Sequence, residues 1–446
     1  MRFRVVENDG VSRKRHIQSK SHLGFFAPLA GVCLLVAAKN VQGQEALRIS
    51  MAGDLAAATR QQNASSIGYY NLLLGPTSWR FSSGLGLEFN DNVRLQQNSE
   101  SDFIFRPSLD AQVHWPVTQK NSLDISLGAG YSAYLQHQDL SQLFISPGSG
   151  VSFDIYAGDF KINLHDMISV TENAYENGGV NGGGSGGNRN LISLQNTLGA
   201  NTLWDLDKGI VNFGYDHVNY VSLSQSQQQP DSASENIFAN AGLRLRPEQL
   251  VGVEAGASVI NYSQSGSANS FAVANAVQWN AGFFGSSQIS DYLSARADVG
   301  YTVYTPDNTA TNVVTRDSSG FYLSVSLAHR VNQHVNYTVA AGRSADMSAY
   351  GQAQSYYFVS LEPNWNFFRK YSLSTPLSWR KGSRIYTTTA AGGADYEQIT
   401  IGLNVSRPLT KKLSVGMSYQ FVEESSGVAS LNYTVNIVSL NFTYQF

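Results

Sequence analysis

The sequence predicts an all-β fold, a transmembrane up-and-down antiparallel β-barrel of about 18 strands. Three observations predict it. Apolar residues alternate with small polar residues, with a period of two, along most of the chain after residue 80. The alternating runs are about 9 to 14 residues long, whereas strands of soluble proteins are mostly about 5–6 residues and membrane-spanning strands need about 9–11. A segment typical of an export signal precedes the first run.

The composition is polar without being charged. Asp, Glu, Lys and Arg make up 14% of the 446 residues, against roughly 25% in an ordinary soluble domain. Abundant aromatic residues and a net charge of only -3 argue against a disordered chain and a nucleic-acid-binding protein. A single Cys excludes a disulfide scaffold. Only one stretch, at the N-terminus, approaches the length of a membrane-spanning helix, which argues against a helical membrane protein.

Residues 1–43 are predicted to be a cleaved signal peptide. A basic segment, 1–22, is followed by an apolar stretch, 23–38, and by short residues up to Gly43, which is the order found in secretory signals. The alternative is a signal anchor that stays attached, for which an apolar stretch of 16 residues is short. Cleavage would remove Cys33 and leave a mildly acidic chain without a thiol.

Residues 44–78 are predicted to be a periplasmic N-terminal lead-in or a small plug, because they contain a short helical pattern instead of alternation. Residues 79–446 are predicted to form the barrel. Along them, eight short turns alternate with nine longer polar loops, which implies eighteen strands. An even strand number places both ends of the barrel on the side of the short turns, the periplasm, with the long loops outside.

Strand length separates this prediction from the soluble alternatives. The segment 123–136, for example, alternates without interruption. A secreted β-sandwich rarely has strands of that length, and a β-helix would show a shorter repeat.

The last strand ends in alternating apolar residues that reach the C-terminus, Leu440, Phe442, Tyr444 and Phe446. This ending resembles the C-terminal signature of outer-membrane barrels that the barrel assembly machinery recognises. The four residues are therefore predicted to be an assembly signal. The alternative is a last amphipathic strand with an interfacial aromatic residue.

The polar face of the strands is predicted to point into the lumen, because lipid cannot solvate polar side chains on the outside. The lumen candidates are Arg106, Asp110, His114, Asp124, Tyr134, Asp154, Arg244, Arg246, Glu254, Arg296, Asp298, Tyr304, Glu362 and Arg380. Five are Arg and six are Asp or Glu, so no sign of charge dominates, as it would in a strongly ion-selective pore. Inward tyrosines suit a hydroxyl-rich solute such as a sugar chain. The alternative is that they only pack against neighbours near the rim.

No constellation of catalytic or metal-binding residues emerges, so the sequence predicts neither an enzyme nor a cofactor or metal site. His165 and Asp166 are adjacent, but neighbours on a strand point to opposite faces, and a nucleophile, base and acid must converge. The six His after residue 43 are scattered, without the spacing of metal ligands.

The first predicted strand, 84–93, is rich in Gly and ends in the pair Asp91-Asn92. Together with the terminal aromatic residue, it resembles the β-barrel porin-2 family over about residues 79–446. The resemblance implies an outer-membrane barrel without catalytic residues. It also implies a link to exopolysaccharide export, which is associated with some members that are 18-stranded barrels.

The sequence therefore leads to a channel hypothesis with one alternative. The channel lies in the outer membrane of a Gram-negative bacterium and passes hydrophilic solutes, by polysaccharide export or by porin-like diffusion. The alternative is a non-conducting surface barrel whose outer loops bind a partner or matrix. The expected partners are outer-membrane lipid, the barrel assembly machinery and, for export, polysaccharide and periplasmic export components, with no nucleic acid.

Overall fold

The computed structural model describes residues 70–172, 192–223, 231–263, 275–307, 318–347, 353–368, 370–384, 394–427 and 432–446. These residues form twenty β-strands and one 3-10 helix, Gln138–Leu140. The strands are β1 Leu72–Leu74, β2 Thr77–Asn90, β3 Asp102–Pro116, β4 Ser122–Tyr134, β5 Gln142–Ala157, β6 Phe160–Glu172, β7 Ile192–Asp205, β8 Gly209–Ser222, β9 Asp231–Arg246, β10 Gln249–Ser263, β11 Ala276–Ser290, β12 Leu293–Pro306, β13 Ser318–Arg330, β14 Val335–Met347, β15 Ala353–Phe367, β16 Tyr371–Ser374, β17 Leu377–Arg384, β18 Ala394–Pro408, β19 Leu413–Ser426 and β20 Tyr433–Gln445.

The strands close into one antiparallel barrel. From β2 onward, strands that follow each other in sequence are neighbours in the wall, and β20 pairs back with β2 over Ser82–Asn90. The short strands β16 and β17 both pair with β15 and with β18, so they are two halves of one wall strand. With β1 outside this count, the wall has eighteen strands, and the predicted fold class is confirmed.

The break between β16 and β17 lies at Pro376. Proline has no N–H to give to the ladder, and it is tolerated where a strand is interrupted. The flanking backbone groups still find partners, because the Pro376 carbonyl accepts the N–H of Gly402 at 2.7 Å and the Thr375 N–H reaches the carbonyl of Pro363 at 3.1 Å. The wall therefore stays hydrogen-bonded across the break.

The outer face of the wall is an apolar belt. On β3, Phe103, Phe105 and Leu109 are exposed, and they alternate with polar residues such as Arg106 and Asp110 that point inward. The uninterrupted wall strands contain 13 to 16 residues, somewhat more than the sequence predicted. Long strands, closure and an outward apolar face together make this a membrane barrel of the outer-membrane type.

The strand bounds confirm the alternation of short and long connections. One of the two-residue turns joins β5 to β6 through Gly158, whose φ of +62° lies in the left-handed region that favours glycine. Long connections such as 91–101 and 135–141 lie at the opposite end of the barrel. The first wall strand begins at Thr77, two residues before the predicted boundary, and residues 1–69 lie outside the described part of the chain.

The N-terminal segment meets the closing seam of the barrel. β1 pairs with the first residues of β2, next to the point where the C-terminal strand ends. The Asn71 amide donates to the carbonyls of Phe81, at 3.0 Å, and Phe446, while its oxygen accepts the Phe81 N–H at 2.6 Å. One side chain therefore joins the first and last wall strands.

Within the residues that the structure describes, no helix has the length and apolar character needed to cross a membrane.

Candidate functional site on the inner wall

The residues that alternation assigned to the lumen lie on the inner phase of their strands. Arg106, Asp110 and His114 are on β3, Asp124 and Tyr134 on β4, Asp154 on β5, Arg244 and Arg246 on β9, Glu254 on β10, Arg296, Asp298 and Tyr304 on β12, Glu362 on β15 and Arg380 on β17. Their sequence neighbours, such as Leu109, Val253 and Val299, are exposed members of the outer belt. Arg246 ends β9 at the short turn and is exposed.

Three ion pairs on the inner wall share one asymmetry, in which the cation is more exposed than the carboxylate. The exposed fractions of the side chains are 32% and 11% for Arg106 with Glu88, 31% and 7% for Lys161 with Asp154, and 48% and 7% for Arg296 with Asp298. The near-zero count of charges in the sequence therefore hides a difference in access. Water in the lumen meets more cationic than anionic surface at these pairs.

Not every ion pair of the wall shows this asymmetry. At the end with the short turns, Arg244 binds Asp205 at 2.7 Å, and there the carboxylate is the more exposed partner. The more exposed cation is therefore a feature of these three pairs and not of every ion pair of the wall.

A buried polar network crosses the inner face of β5, β6 and β8. His165 contacts Asp216 through Nε2 at 3.0 Å and Asn163 through Nδ1 at 3.1 Å. The Asn163 amide also donates to Asp154, at 2.9 Å, and to Ser152, at 2.8 Å. All five side chains are almost completely covered, so this network stiffens the wall and offers little to a solute.

Sequence reasoning did not identify this network, although the phase of β6 was readable. His165 points inward and the adjacent Asp166 is exposed on the outside, as the alternation of a strand requires. Asp216 was missed because its neighbours on β8, Tyr215 and His217, are polar as well. A strand that is polar on both faces gives no phase signal.

Three of the inward tyrosines are packed into the wall. Tyr134 and Tyr304 are both buried, and only 1% of Tyr322 is exposed. The Tyr322 hydroxyl donates to Glu254 at 2.6 Å. Because protein covers these rings, they do not offer their faces to a sugar, and the alternative of packing against neighbours describes them better.

The connection 91–101 folds onto the inner wall. Val93 packs with Ile104 and Tyr134, which are inward residues of β3 and β4, and Leu95 packs with Val435 and other inward residues of β19 and β20. Val93 and Leu95 are both nearly completely buried. The sequence predicted a polar outer loop near residues 96–101 and a first strand that reaches Val93, so this contact was not predicted. The available signal was the presence of two apolar residues, Val93 and Leu95, shortly after Asp91-Asn92.

Asn92 fixes the fold of this loop. Its amide donates to the carbonyls of Gln96, at 2.7 Å, and Thr434, at 3.0 Å, and its oxygen accepts the Gln96 N–H at 3.0 Å. The neighbouring Asp91 accepts the N–H of Asn436 at 2.7 Å. The pair Asp91-Asn92 therefore ties the first loop to the last strand across the closing seam.

A second set of contacts holds the other side of the loop. Arg94 binds Glu100 at 2.9 Å and Asp139, in the 3-10 helix, at 2.8 Å. The buried carboxylate of Asp102 accepts the N–H of Gln136 and of His137, and it also contacts the His137 ring at 3.0 Å. The first two outer connections are therefore linked to each other at the mouth of the barrel.

Among the described residues, no group of three His, Cys, Asp or Glu is placed so that it could hold a metal ion.

Comparison with known proteins gives a similarity of fold. No family model and no curated protein matches the sequence. Among solved structures, the chain is similar to OccAB3 of Acinetobacter baumannii, with 10% identity, a TM-score of 0.48 and coverage of 84% of this chain and 100% of that chain. It is similar to Pseudomonas aeruginosa OccK2 (OpdF) in complex with glucuronate, with 10% identity, a TM-score of 0.48 and coverage of 84% and 99%. P. aeruginosa OpdK with vanillate has 12% identity, a TM-score of 0.47 and coverage of 82% and 98%.

Proposed function

We propose that this chain is an outer-membrane diffusion channel for small hydrophilic solutes in a Gram-negative bacterium. The observation that carries the proposal is the closed wall of eighteen strands with a polar inner face and an apolar outer belt. A barrel of about 16–18 strands leaves room for an aqueous channel, whereas a barrel of about eight strands is filled by its own side chains. The inner wall provides the polar lining that such a channel needs.

The loop 91–101 narrows this channel from one side. It lies against the β2–β4 and β19–β20 side of the wall and not across the barrel, since its apolar residues contact inward residues of those strands. Diffusion through the remaining section would select by size and charge.

The exposed cations of the inner wall favour anions. In the ion pairs of Arg106, Lys161 and Arg296 the cation meets the lumen water and the carboxylate lies beneath. A solute therefore encounters the positive partner first, and at short range this partner dominates the local field. We expect a weak preference for small anions, because the charges remain balanced overall.

The test is the conductance of the refolded protein in planar bilayers, with the reversal potential measured in a salt gradient. The proposal predicts steady open channels with a reversal potential on the anion-selective side. The substitution Arg296→Ser should shift the reversal potential towards zero. Arg343→Ser is the matched control, because Arg343 lies on the outer phase of β14 against the Phe321 ring, and it should leave the potential unchanged.

Polysaccharide export, which the family resemblance implies, is a more specific proposal than a diffusion channel. It would require that added oligosaccharide blocks the current and that deletion of the gene reduces surface polysaccharide. Normal surface polysaccharide in the deletion strain would rule out the export proposal and would be consistent with the diffusion-channel proposal. Absence of any conductance in the refolded barrel would contradict the channel proposal and favour the alternative of a surface barrel that binds a partner through its outer loops.

A further inference from the structure

The outer surface of β6 to β9 carries a group of polar side chains between apolar residues of the belt. Asp166, Asn196, His217, Asn219 and Glu235 all occupy the outer phase of their strands. The phase is set by exposed apolar residues two positions away, which are Leu164, Leu198 and Ile237. We call these five polar residues the outer strip.

The outer strip is continuous across four strands. Asp166, Leu198, His217 and Glu235 are register partners from one strand to the next, so they form a single row. Asn196 and Asn219 are partners in the adjacent row. Within the strip, the Asn196 amide donates to Asp166 at 2.6 Å, and His217 contacts Glu235 at 2.8 Å.

Part of the strip lies at the depth of the hydrocarbon. The stacked rings of Phe160 and Trp204, with centroids 5.2 Å apart, mark the periplasmic side of β6 and β7. Asp166 lies six residues further along β6, which at about 3.3 Å per residue and a tilt of about 40° is roughly 15 Å above those rings, inside an apolar band about 25 Å tall. Glu235 lies ten residues from Leu245, or about 25 Å, at the outer edge of the band.

The strip is also not the start of the headgroup region, because apolar residues resume beyond it. Ile168 follows Asp166 on β6, Leu194 lies outside Asn196 on β7, and Val221 follows Asn219 on β8. Polar groups in hydrocarbon are unfavourable unless they are paired, and membrane proteins turn such residues towards protein or water. The strip therefore fits a surface that another protein covers.

We propose that the outer strip is the contact surface for a second copy of this chain in the membrane. The strip carries both kinds of hydrogen-bonding group, since its carboxylates accept, its imidazole donates and its two carboxamides do both. Two barrels inserted in the same direction are related by an axis along the membrane normal, which brings the centre of one strip to the centre of the other. There the amides of Asn196 and Asn219 meet the same amides of the copy.

When two barrels are related by an axis along the membrane normal, the two ends of the strip are also complementary to the ends of the strip on the copy. Rotation about the normal places Asp166, on β6, next to the β8–β9 side of the copy, where His217 supplies an N–H. An anionic lipid headgroup fits this surface less well, because two of the five side chains are carboxylates and only one, His217, is basic. The surface is thus suited to a copy of itself and not to phosphate.

The first test is cross-linking in native membranes. Leu198, which is 53% exposed, lies at the centre of the strip, and Leu109, which is 65% exposed, lies on the fully apolar outer face of β3. In a Cys33→Ser background, Leu198→Cys should give a cross-linked dimer with a short bis-maleimide, several-fold more than the matched control Leu109→Cys. Equal yields from both variants, or no dimer from Leu198→Cys, would overturn the proposal.

The second test separates contact from folding. The double variant Asn196→Leu, Asn219→Leu makes the strip apolar, and a lone barrel in lipid should tolerate this change or gain stability from it. The proposal predicts that the oligomer fraction on native gels falls while the heat-modifiable migration of the folded barrel is kept. If the variant stays oligomeric, or if the unaltered protein is monomeric and copurifies with lipopolysaccharide through this face, the second copy is not its partner.

Discussion

Two regions of the wall break the rule of polar inside and apolar outside, and they break it in opposite directions. At the closing seam, the inner face of β3, β4, β19 and β20 carries apolar residues such as Ile104 and Val435. On the outer strip, the outer face of β6 to β9 carries polar ones. At the seam, Val93 and Leu95 of the first outer loop cover these apolar residues, whereas the side chains of the outer strip are partly exposed.

The comparison teaches that a residue in the wrong phase marks a contact. An alternating strand assigns each side chain to one of two solvents, lipid outside and water inside. A side chain that suits neither is stabilised by a third environment, which is protein. At the seam that protein is the first outer loop, and at the outer strip we infer that it is a second copy.

The largest effect on stability is expected at the β6–β9 region, where each face of the wall carries one contact between a His and an acidic residue. His165 and Asp216 are covered on the inside, whereas His217 and Glu235 have exposed side-chain fractions of 30% and 42% outside. Removing one partner of a buried pair costs about 3–5 kcal/mol, and an exposed pair contributes about 0–1 kcal/mol. His165→Leu should therefore lower the urea midpoint of unfolding of the detergent-solubilised barrel far more than His217→Leu.

A comparable loss in both variants would show that the inner network is solvated, and the contrast between the two faces would then disappear. Asp216→Asn is a milder inner variant, since it keeps a polar partner for His165 and should lie between the other two.

The next effect concerns the seam. Leu95→Ala removes most of a buried apolar side chain, and the loss of a buried Leu costs about 2–5 kcal/mol. The loss falls on the docking of the loop 91–101, so single-channel recordings should show larger or more frequently fluctuating currents. Leu127→Ala, on the lipid-facing side of β4, is the control and should leave the current unchanged. Identical recordings for both variants would mean that the loop does not border the path of the ions.

A smaller effect is expected for Asn92→Ala, which removes the side-chain bonds to Gln96 and Thr434. Each such bond contributes about 0.5–1.5 kcal/mol net. Hydrogen exchange of the loop amides should become faster, while the wall strands keep their protection. Asn92→Asp keeps the acceptor for the Gln96 N–H and should be intermediate. If hydrogen exchange of the loop amides is unchanged in Asn92→Ala, the apolar contacts alone are responsible for the docking of the loop.

The smallest effect is expected at the periplasmic end of the seam. Asn71→Ala removes the bridge between Phe81 and Phe446 but leaves the β2–β20 ladder intact. We expect a loss of about 1 kcal/mol, visible as a lower temperature at which the folded band is lost in SDS. No change would show that the ladder alone holds the two ends of the wall together.

Much of the inner wall could be predicted because its residues are placed by alternation. Arg296 and Asp298 were assigned to the lumen from their phase alone. The exposure of each partner was not predictable, since it depends on which neighbours cover the carboxylate across the strands. The same limit applied to Tyr134 and Tyr304, whose phase was read from the sequence while their packing depends on residues distant in sequence.

The sequence by itself determined the fold class, the strand number and the direction of most side chains, because a period of two and the strand length are local properties of the chain. Only the tertiary structure decided which residues meet across the wall. The docking of Val93 and Leu95 on β19 and β20, the covered carboxylates of the inner pairs and the row from Asp166 to Glu235 all depend on register between strands. Register arises from closure of the whole sheet, so no local pattern records it.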